Sequence, residues 1–149
     1  MVYLQAVMSE TGPAAACLDL CERDFVEVSI CPAIVAELRR VLERPELRAK
    51  VRRLTDERVA EFLKRVTEMT KPCPDPQIVV PIPRDPKDES YLNLAIEHTT
   101  AFLVSRDKDL LSLSGDDAFC KSYPSLAIVE PPEFLRQVRI QIATDLGYE

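Results

Sequence analysis

Short apolar runs alternating with amphipathic helical stretches predict an α/β fold: a parallel central sheet with helices on both faces, three layers in all. Three observations point to it. Residues 101–105 (AFLVS) and 126–129 (LAIV) are apolar runs of buried-strand length, and residues 25–30 (FVEVSI) alternate as a strand does. Between them lie segments whose apolar residues recur every three or four positions. This order favours parallel strands joined by right-handed helical crossovers. With 149 residues and no repeat or low-complexity tract, the chain is expected to form one domain over residues 1–149, large enough to bury a core.

Gly12-Pro13 punctuates the start, and residues 14–22 read as a short helix. After the strand at 25–30, Pro32 sits near the start of the next helix, where its missing N–H costs little. Ile34, Val35, Leu38, Val41 and Leu42 form that helix's buried face, and Pro45 ends or kinks it. Thr55 is expected to cap a third helix, with Asp56 and Glu57 at its positive end and Val59, Phe62, Leu63, Val66 and Met69 as its apolar stripe. A proline-rich link (KPCPDPQ) leads to IVVPI at 78–82, an edge or short strand given Pro81. Asp85-Pro86 opens a fourth helix with Tyr91, Leu92, Ala95 and Ile96 facing inward. Pro131-Pro132 opens the last, with Phe134, Leu135 and Val138.

Hydrophobic residues make up 46% and charged residues 30%, as in soluble globular chains. No apolar run approaches the ~20 residues that span a bilayer, and the opening VYLQAVM is short and lacks a basic flank, so neither membrane insertion nor a leader peptide is expected. Five cysteines, with no C-x-x-C pair, suit a reducing cytoplasm better than a zinc site. The single histidine, His98, reads as a helix-end residue. The net charge of −6 argues against indiscriminate nucleic-acid binding, but residues 39–53 (RRVLERPELRAKVRR) hold six Arg and one Lys against two Glu. Such a patch can steer a polyanion, or be a solvated helical face.

The acidic residues carry the functional signal. Asp85, Asp88 and Glu89 precede or open the fourth helix, and Asp107 and Asp109 (SRDKD) lie just past a buried strand. Loops past the carboxyl ends of strands are where open α/β sheets bind ligands, and converging carboxylates suit a hard divalent cation. Each acid also has a plain explanation. Asp85 suits an N-cap, Asp88 and Glu89 suit a helix dipole, and Asp107 and Asp109 suit a polar turn. Glu37 borders the buried stripe of its helix, where a carboxylate needs a partner; Arg39 or Arg40 could supply one.

The ordered set AELRRVL (36–42), RDPKDESYL (84–92), AFLVSRDKDLL (101–111) and PPEFL (131–135) resembles the PIN-domain ribonucleases, in particular their VapC-like toxin branch. The resemblance covers nearly the whole chain. It implies a PIN-like three-layer fold and cleavage of single-stranded RNA with Mg²⁺ or Mn²⁺. It places catalytic acids at Glu37, Asp88 or Glu89, and Asp107, and metal ligands at Glu37, Asp88, Asp107 and Asp109. Ser105 stands in the usual Thr/Ser position. Arg39, Arg40, Arg44 and Arg48 are then the candidate RNA contacts, and a small antitoxin and a homodimer the implied partners. The family opens with a buried strand ending in Asp-Thr-Asn. This chain starts with MVYLQA, which resembles the family's segment immediately after that motif. A late start, a truncation or a loss of catalysis would each account for it. The alternatives are therefore a non-catalytic PIN-like module that binds RNA or protein and, less favoured, a response-regulator-like or phosphatase-like acidic domain.

Overall fold

The computed structural model describes residues 2–147. Helices α1 (Val2–Met8) and α2 (Pro13–Glu22) lead into β1 (Ser29–Ile30), α3 (Pro32–Leu42), α4 (Pro45–Lys50) and α5 (Asp56–Met69). Next come β2 (Lys71–Pro72), α6 (Asp88–Glu97), β3 (Phe102–Val104), α7 (Lys108–Ser112), α8 (Asp117–Ser122), β4 (Ala127–Val129) and α9 (Pro131–Asp145). The pairings β1–β2 and β3–β4 are both parallel. The expected α/β class with parallel strands and flanking helices is therefore what forms, although helix predominates and the strands are short.

Side-chain alternation makes β3–β4 a two-faced layer. Leu103 and Ile128 bury against Leu92 and Ala95 of α6, Leu110 of α7 and Phe119 of α8. Phe102, Val104 and Val129 point the other way, onto Phe134, Leu135 and Val138 of α9 and Cys17 of α2. Phe102 and Phe134 meet edge to face, ring centroids 5.3 Å apart. A separate cluster joins α1, α2, α3, α5 and β1 around Leu38, Leu42 and Val66. Helix α6 contributes to both cores, with Leu94 in one and Leu92 and Ala95 in the other.

Local chemistry explains the helix starts. Proline occupies the first turn of α2, α3, α4 and α9. Thr55 caps α5 as expected, its hydroxyl accepting from the Arg58 N–H at 3.2 Å. Cys31 makes no side-chain cap for α3; instead Asp75, from the segment after β2, accepts from the Ala33 N–H at 2.8 Å.

Four expectations need correction. Among the described residues the strands form two separate pairs, not one continuous sheet. The strand expected at 25–30 shrinks to Ser29–Ile30. The strand expected at 78–82 does not form: Pro81 and Pro83 lack N–H donors, and the amides of Val79 and Val80 are taken by the side chain of Asn93. Asp85 does not cap α6, which begins at Asp88. Asp85 instead closes a turn, accepting from the Lys87 N–H through Oδ1 at 3.2 Å and from the Asp88 N–H through its carbonyl at 3.1 Å. Within the proline-rich link, Lys71–Pro72 pairs with β1, which no local pattern announced.

Candidate metal centre

Three carboxylates converge where the loop before α6 meets the end of β3. Asp85, Asp88 and Asp107 each offer an oxygen within 4.8 Å of the others, and all three are half-buried. Asp88 opens α6, so its helix fixes it. Asp107 lies past the end of β3 and caps α7, its Oδ1 accepting from the N–H groups of Asp109 (2.9 Å) and Leu110 (3.1 Å). Its own N–H donates to Oγ of buried Ser105 at 3.0 Å. Ser105 is in turn tied to β4 by its N–H to the Val129 carbonyl, 2.9 Å. Asp107 is thus held by the strand end on one side and a helix start on the other.

Like charges this close oppose one another. Burial, then the carboxylates of Asp107 and Asp85, push the Asp88 carboxyl up to about 7. Asp88 Oδ2 is buried with no hydrogen-bond partner among the described residues. An all-oxygen donor set, mutual repulsion and an orphaned buried oxygen together fit a hard divalent cation.

The expected site residues divide. Asp88 and Asp107 join the cluster, and so does Asp85, which its fit to helix capping had hidden. Glu89, one residue from Asp88, turns away and accepts from the Ile82 N–H at 2.9 Å. Asp109 faces Arg84, 3.7 Å away. Glu37 on α3 also stays out of the cluster: Arg40, one turn on, binds its carboxylate through Nε at 3.1 Å and through Nη2. The nearest sign of Glu37 is electrostatic. Burial raises the Tyr91 hydroxyl far above its ordinary range, and the charges of Tyr3, Glu37 and Asp88 add to that.

The arginines divide as well. Arg39 and Arg44 are exposed. Arg40 serves Glu37. Arg48, expected as an RNA contact, is half-buried and makes structural bonds. Its guanidinium donates to the carbonyls of Leu42 (2.6 Å) and Leu54 (3.0 Å) and to Asp56 (2.9 Å). It joins the end of α3 to the start of α5. A groove of about 710 Å³ between α3 and α5, lined by Arg39, Glu43, Ala60, Leu63 and Lys64 among others, carries both charge signs and lies on elements that supply none of the clustered acids.

No helix among the described residues is long and apolar enough to cross a membrane. Compared with known proteins, residues 1–109 match the family model of the PIN domain. No curated protein and no solved structure matches the chain.

Proposed function

The chain belongs to the PIN-domain family, whose members are in general metal-dependent nucleases, and on that footing we propose that it is a Mg²⁺- or Mn²⁺-dependent endoribonuclease acting on single-stranded RNA. The observation that carries the reading is the convergence of Asp85, Asp88 and Asp107 from two separate segments onto one point.

In this reading those three side chains hold the ion, while Glu37, Glu89 and Asp109 serve as outer or structural acids. When bound there, such an ion would supply Lewis-acid chemistry, activating a water and shielding charge developing on the phosphate. The chain's own contribution is geometric. Ser105 and the start of α7 orient Asp107, and the first turn of α6 orients Asp88. Asp88, its carboxyl pushed up to about 7 by burial and its neighbours, would have to give up its proton to hold such an ion. Arg39 and Arg44 contact phosphates, which sets register and affinity without reading base sequence.

A narrower role as the toxin of a toxin–antitoxin pair, with a small antitoxin and a homodimeric state, is supported by the order of the sequence motifs. A non-catalytic PIN module is the competing reading. It is favoured by Glu37 and Glu89 standing outside the cluster, held instead by Arg40 and by the Ile82 N–H.

The test is cleavage of single-stranded RNA in Mn²⁺ or Mg²⁺ by the unaltered protein and by Asp85→Asn and Asp107→Asn. Metal-dependent cleavage that either change lowers by more than about 100-fold, beyond what outer-shell changes cost, supports the assignment. Binding of RNA with no turnover at any metal concentration would replace it with the non-catalytic module.

A further inference from the structure

Asp85 differs from its two partners in neither opening nor capping a helix. It sits three residues past Ile82, on a segment with proline at 76, 81, 83 and 86 and no pairing to any strand. Such a segment cannot hold its own shape through backbone bonds. What holds it is α6. Asn93, fully buried, accepts from the N–H groups of Val79 (2.8 Å) and Val80 (2.9 Å) through Oδ1. Its Nδ2 donates to the carbonyls of Val80 (2.9 Å) and Glu89 (2.8 Å). Two N–H partners at one end and two carbonyls at the other fix which end is the amide nitrogen. One turn earlier, on the same face of α6, Glu89 accepts from Ile82 N–H at 2.9 Å. The Ile82 carbonyl then accepts from the Asp85 N–H at 3.1 Å, and Ile82 itself is buried beside Leu92 in the core.

A chain of hydrogen bonds therefore runs from Asn93 and Glu89 through residues 79–82 to Asp85. The same helix that presents Asp88 also sets where Asp85 lies. A buried Asn with four partners in the core costs heavily if any is lost, and leucine, with the same branched outline of side-chain heavy atoms but greater bulk, cannot make these bonds.

We propose that Asn93, assisted by Glu89, is a positioning residue that straps residues 79–82 to α6 and so carries Asp85 into register with Asp88 and Asp107. The proposal rests on the metal-binding reading of those three acids. It also gives Glu89 a role other than catalysis.

The test has two arms on the full chain. In the first, amide hydrogen exchange without metal compares the unaltered protein with Asn93→Leu. The amides of Val79, Val80 and Ile82 should lose protection, while those of α9 and β4 keep it. Retained protection at all three would overturn the strap. In the second, Mn²⁺ affinity is measured by calorimetry for the unaltered protein, Asn93→Leu, Asp85→Asn and the double variant. Outer partners of metal ligands are worth about 10- to 100-fold in affinity, so Asn93→Leu should weaken Mn²⁺ by that much and have almost no further effect once Asp85 is Asn. Equal losses in both backgrounds would mean Asn93 acts on the fold at large and would overturn the proposal. Glu89→Gln, which keeps an oxygen for the Ile82 N–H, should retain most of the affinity; a loss as large as that of Asp85→Asn would make Glu89 a ligand and overturn its strap role. If the unaltered protein binds no Mn²⁺, the metal reading fails and the exchange arm alone decides the strap.

Discussion

Asp88 holds a proton that an ordinary aspartate has already released. Its carboxyl lies at about 7 in the fold against an ordinary 3.8, because burial and two neighbouring carboxylates disfavour its charge. Between those values the native state binds more protons than the unfolded state, so raising the pH favours unfolding until the slope flattens above about 7. Without metal, in chelator, Tm is expected to fall from pH 5 to pH 8. Asp88→Asn should flatten the part of that fall due to this group and raise Tm at pH 8 by about 2–4 °C, which is what ~1 kcal/mol is worth in a chain of this size. An unchanged slope in the variant would mean that the strain lies elsewhere. Asp107→Asn separates ligand from cap. Asn caps a helix about as well as Asp, so α7 should persist with little change in Tm while metal binding is lost. Circular dichroism and calorimetry on one sample check both.

At the scale of elements, helices were more legible than strands, and the reasons are physical. The stripes of α3 and α5, the Thr55 cap and the prolines opening α3 and α9 are local signals that sequence spacing reports directly. Strands β1 and β2 are two residues each, and Lys71–Pro72 finds its partner some forty residues away, so no local pattern marked it. The strand expected at 78–82 failed because Asn93, fourteen residues on from Val79, takes the amides a neighbouring strand would have taken. Arg48 likewise has partners that its local pattern did not announce: it looks like one more charge in a basic run but ties α3 to α5. Arg48→Ala should thus destabilise the fold by about 1–3 kcal/mol by leaving the Leu42 and Leu54 carbonyls without this partner, measured by urea unfolding. Arg39→Ala should leave stability alone. If RNA binds across α3, that change should weaken RNA uniformly across sequences and reduce the salt slope of binding by about 1. Arg48→Ala with unchanged stability and a reduced salt slope would restore it as an RNA contact.

Across the whole molecule the acids were legible as a constellation but not as a set. Order along the chain suggested two clusters separated by a helix and a strand; only the fold showed that Asp85 joins and that Glu37, Glu89 and Asp109 do not. Their places are set by α6, which packs into the core around α3 and α5 through Leu94 and into the core around β3–β4 through Leu92 and Ala95. An ion gripping Asp85, Asp88 and Asp107 would therefore fasten the strap and the first turn of α6 to the end of β3, and its binding energy should appear as stability of the whole chain. At a free Mn²⁺ concentration 100 times its Kd, the gain is about 2.7 kcal/mol, or roughly 5–10 °C in Tm at ~2–4 °C per kcal/mol. The gain should be larger at pH 8 than at pH 6, since Asp88 must lose its proton to bind. It should disappear in Asp107→Asn, which leaves the caps and both cores in place. A thermal scan with and without Mn²⁺ at the two pH values reads all of this at once. A rise of equal size in Asp107→Asn would put the ion somewhere other than these three carboxylates.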